Sequence, residues 1–129
     1  MKEFTFSNID LALNILMQIE NAILLIKTRT SEITSANDFL KSPEQVEKLD
    51  AVCMQFIAIG ESIKGLDKVT NQELLKTNDS VPWKKVMGLR DIIAHHYFDV
   101  DAEQIWWIIE KELDPLLNAI QGFIKVLSN

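Results

Sequence analysis

Residues 42–63 read SPEQVEKLDAVCMQFIAIGESI, and this stretch decides the fold. Ser42-Pro43-Glu44-Gln45 is a helix start. Serine offers its side-chain oxygen to an unpaired backbone N–H, proline at the first position has no donor to lose, and glutamine three residues on can close a capping box. Val46, Leu49, Cys53, Phe56, Gly60 and Ile63 then recur at alternating steps of three and four, which is one face of a helix and not the alternation of a strand. Gly60 within that stripe predicts the close approach of a second helix, because it has no side chain to hold a neighbour away.

The same spacing appears on both sides of this stretch. Ile9, Ala12, Leu16, Ile19, Ile23 and Ile26 predict a first helix over about 8–28, started by Ser7 and left through a polar loop from Thr28 to Asn37. Leu74 and Leu75 predict a short extra helix in an otherwise polar connection. Pro82, Val86, Leu89 and Ile93 predict a third major helix over about 82–95. Asp101 to Gln104 is a second capping-box start. It leads into the stripe Ile105, Ile109, Leu113, Leu116, Ile120, Phe123 and Leu127, which Pro115 should kink near Lys111 or break at Asp114. Four glycines and three prolines are too few for a turn-rich β-sandwich. The expectation is an all-α, antiparallel up-down four-helix bundle, one domain over residues 1–129.

Composition narrows the setting. A chain of 129 residues that is 47% hydrophobic can build one core. The lone Cys53 cannot form an internal disulfide and reads as a small hydrophobe in a reducing, intracellular environment. No secretory leader opens the chain and no uninterrupted apolar run approaches membrane-spanning length, so a soluble, cytoplasmic protein with no membrane association is expected. Net charge is −6, with 19 acidic against 13 basic residues, the wrong sign for a surface that neutralises phosphates broadly. Any RNA contact must therefore be local.

Chemistry is concentrated between Gly88 and Phe98, in GLRDIIAHHYF, which holds Arg90, Asp91, both histidines (His95 and His96) and Tyr97. Arg90 and His95 are five apart, so on a helix they point about 140° from each other. A shared site needs the helix to end or unwind near His95, or a second copy of the motif to complete it. No cysteine pair or His-x3-His spacing suggests zinc, and neither a metal nor a cofactor is expected. Trp106 and Trp107 cannot both face one core. One should fill it while the other lies at the surface or at an interface.

Arg90-x4-His95-x-Tyr97 resembles the signature of the HepT-like HEPN ribonucleases, a toxin family. Ile59-Gly60-Glu61-Ser62, Val81-Pro82-Trp83 and the segment from Phe98 to Glu110 are similar to family segments in the same order, so the resemblance runs from about Ser42 to Leu127. It implies a HEPN-like bundle that forms a homodimer, with motifs from both subunits facing one cleft. It also implies metal-independent endoribonuclease activity, in which a ribose 2′-hydroxyl attacks the adjacent phosphate. His95 would be the general acid or base and Arg90 the phosphate-binding group. Tyr97 would be the hydroxyl to which a partner MNT-type nucleotidyltransferase, the antitoxin, attaches AMP. Asp91, His96 and Glu61 are auxiliary candidates: Asp91 stands where many members have asparagine and could pair with Arg90, and Glu61 could orient Arg90 from the neighbouring helix. The alternative is a non-catalytic docking or nucleotide-binding subunit of a nucleotidyltransferase, which the acidic composition would suit.

Overall fold

The computed structural model describes residues 4–95 and 101–129, and among these every regular element is helical. Helix α1 spans Ile9–Arg29 and α2 Pro43–Val69. Helices α3 (Trp83–Met87), α4 (Leu89–Ala94), α5 (Ala102–Trp107) and α6 (Leu113–Ser128) follow. Single turns of 3-10 helix occupy Ala36–Leu40 and Leu75–Thr77. The second is the short extra helix expected there, whereas the first lies in a segment read as loop. These elements form the all-α HEPN-like bundle that the sequence implies.

The core is the meeting of three long stripes. Ala12, Leu16, Ile19, Ile23 and Ile26 of α1 lie buried against α2 and α6, facing Val52, Phe56, Ile59 and Ile63 on one and Leu116, Ile120 and Phe123 on the other. Each fully buried aliphatic or aromatic side chain contributes about 1.5–3 kcal/mol from leaving water. By length and composition α1, with a mean hydropathy of 1.6, is also long and apolar enough to cross a membrane. Here one face of it is used as core, and Leu11, Met17 and Leu24 lie exposed on the outside. Cys53 is buried, and that burial, aided by nearby Asp50, pushes its thiol up to about 11.

Ends and breaks explain where the elements stop. Ser42 Oγ accepts from the Gln45 N–H at 3.2 Å, as a serine cap should. The reciprocal half of the capping box is not made: Gln45 Oε1 is buried without a hydrogen-bond partner. The first helix starts after Asn8 rather than Ser7, with no side-chain cap. Helix α2 ends in a tight reversal through Asn71 and Gln72, whose φ values of 54° and 60° are left-handed. Its last turn is closed by Gln72 N–H donating to Asp67 O at 2.8 Å.

The single helix expected over 82–95 is two. Gly88, at φ −87° and ψ 2°, leaves the helical region, and its N–H is shared between Lys84 O and Lys85 O at 3.1 Å each. A five-residue α3 and a six-residue α4 result. Pro115 acts near where its ring chemistry predicts. With no N–H to give to the Lys111 carbonyl, the chain widens into a π-helical turn at Ile108–Glu112 before α6 begins at Leu113. Asp101 starts the final rod by accepting from Glu103 N–H at 3.0 Å and Gln104 N–H at 3.3 Å.

Candidate functional site

Gly60 positions the motif helix. A Cβ built there would sit 2.7 Å from the Val86 carbonyl oxygen and 3.6 Å from Leu89 Cβ, so only glycine lets α3 and α4 lie this close to α2. Leu89 and Ile93 of α4 are buried in that contact. Trp83 anchors the far end: its indole N–H donates to Asn78 O at 2.7 Å and its ring lies against Phe123 with centroids 5.7 Å apart.

The close approach brings Arg90 beside Glu61, the residue after the glycine. Arg90 Nη1 lies 3.6 Å from Glu61 Oε1, and Lys64 Nζ lies 3.0 Å from the other oxygen, Oε2. One carboxylate therefore holds two cations from two helices. The Lys64 hydrogen bond, more than the Arg90 charge, keeps the Glu61 carboxyl below its ordinary value. The guanidinium remains largely in solvent, 59% exposed, and exposed ion pairs of this kind add little stability. The pair orients Arg90 and leaves its outer donors open to an anion.

His95 is exposed at the end of the same helix, its N–H donating to Asp91 O at 3.1 Å. Helix α4 ends at Ala94, yet His95 keeps helical dihedrals of φ −64° and ψ −20°. Its direction is therefore still set by the helical twist, about 140° from Arg90. The helix ends near His95, but the backbone does not unwind there. Asp91 is exposed on α4, and among the described residues the ion pair of Arg90 is with Glu61, not with Asp91. His96 and Tyr97 lie outside the described residues.

Sequence reasoning missed Lys64. Its signal was present, since Glu61, Lys64 and Lys68 follow the three-four spacing of one helix face. It also missed an apolar groove of about 380 Å³ on the other flank of α4, lined by Val86, Leu89 and Ile92 and closed by Trp107 and Ile108. Trp106 is half-buried, edge-on to Phe39, while Trp107 is 53% exposed on that groove, the division of roles expected for the two.

The all-α bundle, with Arg90 on α4 and His95 at its C-cap, is of the HEPN-like class. The model of the family described as "Ribonuclease HepT-like" matches residues 19–123, which include Glu61, Arg90 and His95. A protein of Caldanaerobacter subterraneus subsp. tengcongensis named "Putative RNase" is 33% identical over 91 residues, covering 70% of this chain and 75% of that one. Another of that name, from Methanocaldococcus jannaschii, is 33% identical over 89 residues, 69% of this chain and 68% of its own. "Probable ribonuclease HepT" of Thermococcus cleftensis is 27% identical over 101 residues, 78% of this chain and 84% of its own. No solved structure matches the chain. The chain belongs to the HepT-like ribonuclease family. As a member it is an endoribonuclease, with RNA as its substrate class.

Proposed function

We propose that this chain is the toxin-type ribonuclease of a HEPN/MNT pair, working in the cytoplasm as a single HepT-like unit in a homodimer. It cleaves RNA without a metal ion, using Arg90 and His95. The observation that carries this reading is Arg90 itself: it is exposed on α4, held from behind by Glu61, and has donors left for a phosphate. Histidine suits the proton transfers because its imidazole titrates near neutrality in water. In the cleavage step the ribose 2′-oxygen loses its proton and bonds to the adjacent phosphorus. The P–O5′ bond then breaks, and the leaving oxygen receives a proton. A 2′,3′-cyclic phosphate and a 5′-hydroxyl result, with the guanidinium meeting charge on the phosphoryl oxygens as it grows.

The roughly 140° between Arg90 and His95 supports a second copy, since one motif is poorly placed to serve one phosphate from both side chains. Ile92 and Trp107, exposed along the apolar groove beside α4, supply a surface that such a copy would cover. Control falls to Tyr97. A nucleotidyltransferase partner transfers AMP from ATP to its hydroxyl, the phenolic oxygen bonding to the α-phosphorus as pyrophosphate leaves, and the added phosphate charge and bulk exclude RNA.

The test is cleavage of RNA in EDTA by the parent and by His95→Ala. A loss of about 10²- to 10⁴-fold with an unchanged melting temperature is expected, with cyclic phosphate ends on the parent's products. Equal rates for the two proteins would remove His95 from the chemistry.

A further inference from the structure

The chain as a whole is acidic, but its charge is unevenly placed. Of its 13 basic residues six, Lys64, Lys68, Lys76, Lys84, Lys85 and Arg90, fall between positions 64 and 90, against three acidic ones. The net charge there is +3, which leaves −9 for the remainder of a chain whose total is −6. This is the local basic ground that an acidic RNA enzyme requires.

Within that segment the structure selects two lysines. Lys64 shares the Glu61 carboxylate with Arg90, at 3.0 Å and 3.6 Å respectively. Lys68 lies four residues further along α2, on the same face. Beyond Glu61 the two lysines border an open hollow of about 440 Å³, completed by Asp67, Asn71, Gln72 and Met87. Met87, the last residue of α3, joins the hollow to the motif-bearing end of the molecule. Asp67 lies in the same hollow, its carboxyl raised above the ordinary value by burial.

We infer that Lys64 and Lys68 form a phosphate subsite for the single strand whose scissile phosphate meets Arg90, so that the backbone leaves the reaction centre along the outer face of α2. Deepening the ribonuclease reading, this assignment rests on Arg90 being the phosphate-binding group. Lys64 belongs to both parts: it holds the Glu61 oxygen that Arg90 does not, and it faces the next phosphate. The hollow is open and bordered by polar residues apart from Met87, with no aromatic ring among them, which suits a solvated backbone better than a stacked base.

The experiment measures binding apart from chemistry. A fluorescent oligothymidylate carries the phosphates but no 2′-hydroxyl, so the proposed reaction cannot consume it. Its affinity is followed against salt concentration for the parent, Lys64→Ala/Lys68→Ala, Lys64→Arg/Lys68→Arg and Lys125→Ala. Lys125, on the last turn of α6, lines neither this hollow nor the apolar groove. Removing two phosphate contacts should lower the slope of log K against log salt by about 1.4, since each contact on a single strand contributes about 0.7. The arginine pair should restore it, and Lys125→Ala should leave it unchanged. An unchanged slope in the alanine pair, with His95→Ala still inactive on RNA, overturns the subsite and leaves the catalytic reading standing. An unchanged slope with a lower assembled mass in light scattering also overturns it, assigning the lysines to a protein contact. A parent that neither binds the strand nor cleaves RNA overturns both readings.

Discussion

The α1–α2–α6 packing and the α3–α4 edge are built from similar aliphatic residues, yet they are held together differently. Ile19, Ile23 and Ile26 of α1 are at most 1% exposed, whereas Val86, Leu89 and Ile93 of the edge each keep 7%. The long helices, of 21, 27 and 16 residues, gain enough backbone bonds to make up for nucleation once their apolar faces pack. Helices of five and six residues do not, so α3 and α4 depend on their seat against α2 at Gly60. The contrast separates scaffold from site. Arg90 and His95 ride on the part of the molecule that relies most on its neighbour, and losses there should affect activity before they affect the fold.

Ile23→Ala should have the largest effect on stability. The side chain is fully buried between α2 and α6, and truncating such a residue costs about 2–5 kcal/mol. Denaturant unfolding should show a lower midpoint at unchanged slope. Under conditions where the variant is still folded, its cleavage rate should match the parent's. A rate loss in fully folded Ile23→Ala would erase the division between scaffold and site.

Alanine at two glycines of α2 sharpens the comparison. At Gly65 an added Cβ meets nothing within 4 Å, and replacing a helical glycine should stabilise by about 0.5–1 kcal/mol. At Gly60 the same methyl meets a backbone carbonyl at 2.7 Å that has no side-chain freedom to yield. Overpacking of about 1–3 kcal/mol should outweigh the propensity gain and push α3 and α4 outward, carrying Arg90 away from Glu61. The expected outcome is a raised melting temperature for Gly65→Ala, and a lowered one with slower cleavage for Gly60→Ala. Equal shifts of the same sign would mean that the edge is not seated through Gly60.

The smallest expected effect is that of Glu61→Gln, because the pair it breaks is exposed. The Glu61 carboxyl is lowered in the fold, so its stabilising contribution is present above the ordinary carboxylate value and is lost as pH falls through the folded one. Melting temperatures of parent and variant should differ slightly at neutral pH and converge in acid. Divergence on acidification would show that Glu61 does not act as a paired carboxylate.

What the sequence determined by itself was the set of stripes and starts. Apolar side chains at three-four spacing have one low-energy way to leave water together, and a serine, aspartate or proline at a helix start acts on backbone groups within three residues. The long helices, the Ser42 and Asp101 caps, the disturbance before Pro115 and the close approach at Gly60 were legible for that reason. The break at Gly88 was not. Glycine inside a helix costs only about 1 kcal/mol, and whether the chain kinks there depends on how α3 and α4 each seat against α2. Arg90 and His95 could be named from their motif. That Arg90 would share a carboxylate with Lys64, 26 positions earlier in the chain, was decided only when the bare backbone at Gly60 let two helices approach to contact distance. Such pairings depend on distances in space, and a one-dimensional pattern does not carry them.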